Sequence, residues 1–224
     1  MYTFATILLI AAFILSLFAQ NHVKRTYEKY SRIATHRGFT GAQVAEMILR
    51  NNQLSGTDIV RIPGQLTDHY DPKAKKVGLS EGNFSGQSLA AAAVSAHEIG
   101  HVLQYESGMG LIRLRTMIMP AVIFSQNIVG FVILLGFLLS MTALIDLGIL
   151  LFSVVVLFQF LTLPVEFDAS NRALRALTEF GIIEDSEVDG AKKVLQAAAL
   201  TYVAGLLVAL AQLMRFIGMR GNRD

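Results

Sequence analysis

Two nearly uncharged stretches constrain what this chain can fold into more than any other feature. Met1 to Ala19 holds no charged side chain, and Met117 to Val165 holds one, Asp146. A helix needs roughly 20 apolar residues to cross the hydrocarbon core of a bilayer. The first run therefore makes one span, and the second is long enough for two, turning near Ser140 to Asp146. A fourth span fits Ala197 to Ile217. Overall balance agrees: 53% of the 224 residues are hydrophobic and 16% are charged, a composition suited to lipid.

A cleaved secretory signal would start with basic residues and end in a small-x-small site. Met1-Tyr2-Thr3 carries no basic side chain, whereas Lys24, Arg25, Lys29 and Arg32 follow the run. The first run thus reads as an uncleaved anchor with its start outside. Of the nineteen Lys and Arg, twelve lie between Lys24 and Arg115 and four between Arg172 and Lys193. Loops rich in Lys and Arg face the cytoplasm, so both segments are expected there, in a multi-pass protein of the cell (inner) membrane. Arg215, Arg220 and Arg223 then fall outside, which counts against four full spans and leaves a last segment that dips in and returns as the alternative. A net charge of +2 does not suggest nucleic acid, and the basic residues read as membrane flanks. Cysteine is absent, which excludes disulfides and thiolate metal ligands.

Between the spans the pattern changes. Tyr27 to Arg32 is polar and suggests a juxtamembrane helix ending near Gly38. Thr40 can cap a helix over roughly Gly41 to Asn51, with Val44, Ile48 and Leu49 at helical spacing. From Ile59 to Ser80 short apolar runs alternate with turn residues, and Asp71-Pro72-Lys73 fits a turn between two strands. A third helix should open near Ser85 or Gly86 and run through Gln104. Pro164 can occupy the first turn of a helix from about Val165 to Phe180, which Gly181 would stop. The expected fold is mainly α: a polytopic membrane protein of about four transmembrane helices with a small α+β cytoplasmic portion. It reads as a single unit, with an anchor (1–20), a catalytic portion (21–115), a hairpin (117–165), a third-ligand segment (166–196) and a C-terminal membrane helix (197–217).

Chemistry concentrates in His97-Glu98-Ile99-Gly100-His101. Residues four apart share a helix face, so both imidazoles reach one metal ion with Glu98 beside them. Burying these ionisable groups in an otherwise apolar helix is costly unless they are paired or metal-bound. Zinc suits the pattern because it accepts imidazole and keeps an open tetrahedral position, and Glu98 can act as general base toward a water attacking a peptide carbonyl. A third ligand is needed. The metzincin pattern would want Gly at 104 and His at 107, but those are Gln104 and Ser107. A carboxylate from another helix is the other solution, and Glu166 stands where a helix should begin. Asp168 is its rival, with Glu179, Glu184 and Asp189 further behind; Glu106 is too close along the chain to bend back.

Ala96 to Gln104, Leu163 to Ser170, and His69-Tyr70-Asp71-Pro72 through Val77-Gly78-Leu79-Ser80 together resemble the YugP-type neutral zinc metallopeptidases of bacterial membranes. More distantly the chain is similar to HtpX-type and CAAX-prenyl-type membrane proteases, whose zinc ligand is a Glu in a Glu-x-x-x-Asp helix. On that pattern Glu166 falls on the ligand and Ser170 falls where an aspartate would steady a zinc-bound histidine, leaving Ser170, Asn171 and Asp168 open for that part. The resemblance implies a zincin-like portion, one Zn2+ per chain, and an extended substrate along a sheet edge, here Lys76, Val77, Gly78, Leu79 and Ser80. His69, Tyr70, Arg172 and Tyr202 are each able to stabilise an oxyanion.

The preferred reading is a zinc endopeptidase acting on membrane or membrane-adjacent polypeptides at the cytoplasmic face, with the lipid bilayer and protein or peptide substrates as partners. Intramembrane cleavage is weaker, because Tyr105 to Arg115 separates the motif from the nearest span. A zinc-stabilised, non-catalytic scaffold or assembly factor is the alternative, against which three ligands and a free Glu98 speak, since structural zinc is usually closed by four protein ligands.

Overall fold

A computed structural model describes residues 2–221. Among these the order is α1 (Tyr2–Tyr30), α2 (Gly41–Asn51), β1 (Asp58–Ile62), β2 (His69–Asp71), β3 (Lys76–Ser80), α3 (Glu81–Phe84), α4 (Leu89–Glu106), α5 (Gly110–Leu138), α6 (Thr142–Glu179) and α7 (Asp185–Arg220). The mainly α architecture expected from the sequence is present, and α1, α5, α6 and α7 are each long and apolar enough to cross a membrane. The residues cluster into two compact units. One takes in the chain up to Gln20, Arg113–Pro164, and the chain from Leu200 on; the other takes in Asn21–Ile112 and Val165–Ala199.

The first unit is built of helices whose large apolar side chains point outward. Ile7, Phe13 and Phe18 on α1, Phe131 and Leu138 on α5, and Leu150 and Phe160 on α6 are all more than half exposed. Lipid is the solvent in which such a surface is stable. Facing inward instead are small residues: Ala5, Ala12 and Ala19 on α1, and Ala204 and Ala211 on α7, seven apart in each helix, the spacing that lets apolar helices approach closely. The hairpin turns at Leu139–Met141, as expected, with Ser140 in the left-handed region at φ 52°. Val129, Ile133 and Ile145 form its inner cluster, Phe152 meets Phe216 edge to face at 5.3 Å, and Arg220 donates to Asp146 at 3.1 Å. That ion pair gives Arg220 a partner near a helix end. Because α7 is continuous, the last apolar segment does not dip and return.

The second unit is an α+β layer. Thr40 caps α2 in a reciprocal arrangement with Gln43, which satisfies two otherwise orphaned N–H groups. Val44, Ile48 and Leu49 bury α2 against α4, each contributing roughly 1.5–3 kcal/mol. The three strands run in the order β1-β3-β2, with β3 parallel to β1 and antiparallel to β2. Asp71 closes the β2–β3 turn by accepting from the Lys73 and Ala74 N–H groups. A buried network ties sheet to helices: the Asp68 carboxylate accepts from the Ser80 N–H (2.7 Å) and from Asn83 (2.8 Å), and Asn83 accepts from the Tyr27 hydroxyl (2.8 Å).

Four sequence expectations need correction. Lys76–Ser80 is the central strand: β1 and β2 occupy its two sides and Asp68 takes the Ser80 N–H, so its backbone offers no edge to a substrate. No separate helix forms over Tyr27 to Gly38. Nothing between Ala19 and Tyr30 breaks α1, and beyond it Ala34 bridges to Ser88. The zinc-motif helix opens at Leu89 behind the cap Ser88, with the short α3 before it. Pro164 lies inside α6 instead of starting a helix, a position tolerated in long apolar helices where neighbours offset the missing N–H. Helix α6 ends at Glu179 and Gly181 follows with φ +60°, as expected of a glycine stop.

Candidate active site

Helix α4 is buried almost all round. Its cap Ser88 accepts from the Ala91 N–H, and the alanines at 90–93 and 96 are buried, small enough for neighbouring elements to close in. His97 and His101 lie one turn apart on a shared face, their rings meeting edge to face at 4.8 Å. Onto that face α6 projects Glu166, whose Oε2 stands 3.2 Å from His97 Nε2 and 3.5 Å from His101 Nε2. Glu166 is 1% exposed.

Gly100 explains how α6 comes so near. A β-carbon at residue 100 would stand 2.5 Å from the Ala169 carbonyl oxygen, with α6 backbone behind it. No backbone atom yields that distance cheaply, so Gly100→Ala is expected to push α6 away from the histidines. Overpacking of this kind costs about 1–3 kcal/mol. Thermal unfolding and metal-binding titration of Gly100→Ala check it: unchanged stability with unchanged affinity would show that this crossing does not set the Glu166 distance.

The donor set fits zinc. His97, His101 and Glu166 each offer one ligand atom, and these atoms lie within 4.8 Å of one another. Two donors about 2.0–2.1 Å from a tetrahedral ion sit roughly 3.4 Å apart, close to the 3.2 and 3.5 Å separations of Glu166 from the two imidazoles. Two imidazoles and one carboxylate leave the fourth position open, as in catalytic zinc sites.

The far nitrogens of both rings are also held. His97 Nδ1 is 3.2 Å from Ser170 Oγ, and His101 Nδ1 is 3.0 Å from Gln104 Oε1. Of the three residues left open for such support, Ser170 therefore meets His97, Asp168 reaches Gln104 (2.9 Å) and Arg172 (2.6 Å), and Asn171 is exposed. Gln104 carried a signal that sequence reasoning passed over, standing three residues after His101 on the same helix face. Glu98 is 7% exposed, and among the described residues its carboxylate enters no hydrogen bond. Burial pushes the Glu98 carboxyl above its ordinary range, against the pull of the His97 and His101 imidazoles. Burial opposes charge on His101, yet the adjacent Glu166 carboxylate outweighs it and raises the imidazole.

The rival ligands are engaged elsewhere. Asp168 is turned to Gln104 and Arg172, Glu184 pairs with His36, Asp189 pairs with Lys193, and Glu179 is exposed. Among the oxyanion candidates, His69 is exposed on β2 with Nδ1 3.0 Å from the Thr67 carbonyl oxygen. Tyr70 packs edge to face on Tyr105 of α4 at 6.3 Å, Arg172 spends its Nε on Asp168, and Tyr202 lies in the helical unit.

Helices α4 and α6 thus bring together two histidines and a glutamate that could hold a metal ion, with a second glutamate beside them, the donor set of a metallopeptidase. The chain belongs to the neutral zinc metallopeptidases: residues 5–221 match the family described as "Putative neutral zinc metallopeptidase". Among curated proteins it is 47% identical over 210 residues to the "Putative membrane protease YugP" of Bacillus subtilis (strain 168), a match covering 94% of this chain and 93% of that protein. No solved structure matches.

Proposed function

We propose that the protein is a zinc-dependent membrane endopeptidase that uses His97, His101 and Glu166 as ligands and Glu98 as general base. The observation that carries this is the convergence of three donors beside a buried carboxylate that no hydrogen bond among the described residues commits. Zinc held there would polarise the scissile carbonyl and make water acidic enough to attack near neutral pH. Glu98 takes the proton released by the attacking water and returns it to the leaving amine, so the side chain ends the cycle as it began. A carboxyl raised by burial suits both halves of that exchange.

The basic residues flanking the spans support a site at the cytoplasmic face of the inner membrane, acting on membrane or membrane-adjacent polypeptides. With β3 committed on both sides, an extended substrate would pair along β2. It is one of the sheet's two outer strands and packs on α4, and such pairing is tolerant of substrate sequence.

The test is metal removal. Detergent-purified protein stripped by a chelator is expected to lose hydrolysis of unstructured casein, and to regain it on adding about one equivalent of zinc per chain. Zinc-loaded protein that cleaves neither casein nor other unfolded substrates, in any lipid tried, would favour the scaffold alternative.

A further inference from the structure

The side chain that holds His101 is itself held in an unusual way. The two ends of a glutamine amide look alike by shape, so the partners decide which is which. One end of Gln104 faces two groups that only accept: the Val165 carbonyl at 2.6 Å and the Asp168 carboxylate at 2.9 Å. That end must be the NH2. The oxygen is thereby turned to His101 Nδ1 at 3.0 Å, and an oxygen there accepts only from a protonated Nδ1. The lone pair of the neutral ring is then on Nε2, the atom 3.5 Å from Glu166. Arg172, one turn along α6, donates to Asp168 at 2.6 Å and fixes the carboxylate that fixes the amide.

We propose that Gln104 is a positioning residue for the metal centre, an amide locked by Val165 and Asp168 that sets the tautomer and ring angle of His101. The inference deepens the metallopeptidase reading and rests on it. His97 is supported differently, because the Ser170 hydroxyl can donate or accept and so selects no tautomer. Burial is part of the case. Gln104 is 0% exposed, and a glutamine costs more to bury than a leucine of similar size unless its polar atoms are used. Here every one of its heavy polar atoms has a partner. Both helices contribute: α4 supplies the amide, while α6 supplies its anchors and the ligand Glu166.

The test is zinc affinity, measured by competition with a chromophoric chelator, alongside melting curves of the same detergent preparations. Gln104→Leu is expected to bind zinc roughly 10–100-fold more weakly, the usual effect of losing an outer partner of a metal-bound histidine. Gln104→Glu keeps an acceptor for His101 but sets a carboxylate against Asp168 and the Val165 carbonyl, and should lose affinity comparably. Combining it with Asp168→Asn restores a donor opposite an acceptor with polarity reversed, and should recover at least tenfold of the loss. Packing alone predicts no such recovery. Full affinity in Gln104→Glu, or a folded double variant no better than the single one, would overturn the proposal. A well-folded wild type that binds no zinc would instead overturn the metallopeptidase reading beneath it.

Discussion

Glu98→Gln is expected to lower peptide hydrolysis by about 10²–10⁴-fold while leaving zinc content and melting temperature at wild-type values. The size of the loss follows from what the amide lacks. It can take no proton from the attacking water and has none to give the leaving amine, so both halves of the cycle lose their carrier. Retention of zinc follows from the geometry. The three converging donors are His97, His101 and Glu166, and Glu98 points from a neighbouring position of the helix without joining them. Structural tolerance follows too, because no hydrogen bond among the described residues depends on the Glu98 carboxylate, and removing a buried negative charge relieves a desolvation cost. The measurement is turnover of an unstructured protein by matched detergent preparations with metal analysis of both. Wild-type turnover in the variant would remove Glu98 from the chemistry; zinc loss would make it a ligand or a support of one.

The parts of this molecule legible from sequence are those written in short stretches of chain. Uncharged runs gave the long helices, Thr40 with Gln43 gave a cap, and the four-residue spacing of His97 and His101 gave a shared face. Glu166 could be proposed because Pro164 and the end of an apolar run mark a change of environment, although the local reading of that proline as a helix start was wrong. Inside a 38-residue helix the proline's missing hydrogen bond is one among many, and tertiary context overrides the local rule. The sheet order was not legible. Three short strands of similar pattern admit several pairings, and β3 became central because β1 joins it in parallel across the intervening β2, a choice made by packing on α4 and not by propensity. Gly100 was not legible for the same reason, and of Gln104 only its spacing from His101 was. Gln104 acquires its meaning from Val165 and Asp168, more than 60 residues away, and Gly100 from the Ala169 carbonyl.

Replacing Glu166 should do what replacing Glu98 does not. Glu166→Ala is expected to weaken zinc binding by more than 100-fold, beyond the range for an outer partner of a ligand, and to abolish hydrolysis with it. Three effects combine. One of three donor atoms is gone, the negative charge that offsets the ion is gone, and a fully buried position is left with two imidazoles facing a void. Glu166→Gln separates these effects, since it fills the space and keeps an oxygen while removing the charge; it should bind zinc better than Glu166→Ala and worse than wild type. Asp168→Ala is the decisive control. Asp168 stood as the rival ligand, but its carboxylate reaches Gln104 and Arg172. Its loss should therefore act only through the amide that holds His101, about tenfold and at least an order of magnitude less than Glu166→Ala. Zinc titrations of the three variants give that ordering directly. Should Asp168→Ala strip the metal while Glu166→Ala keeps it, the ligand set would be His97, His101 and Asp168, and the approach of Glu166 to both imidazoles would be an ion pair of the metal-free chain alone.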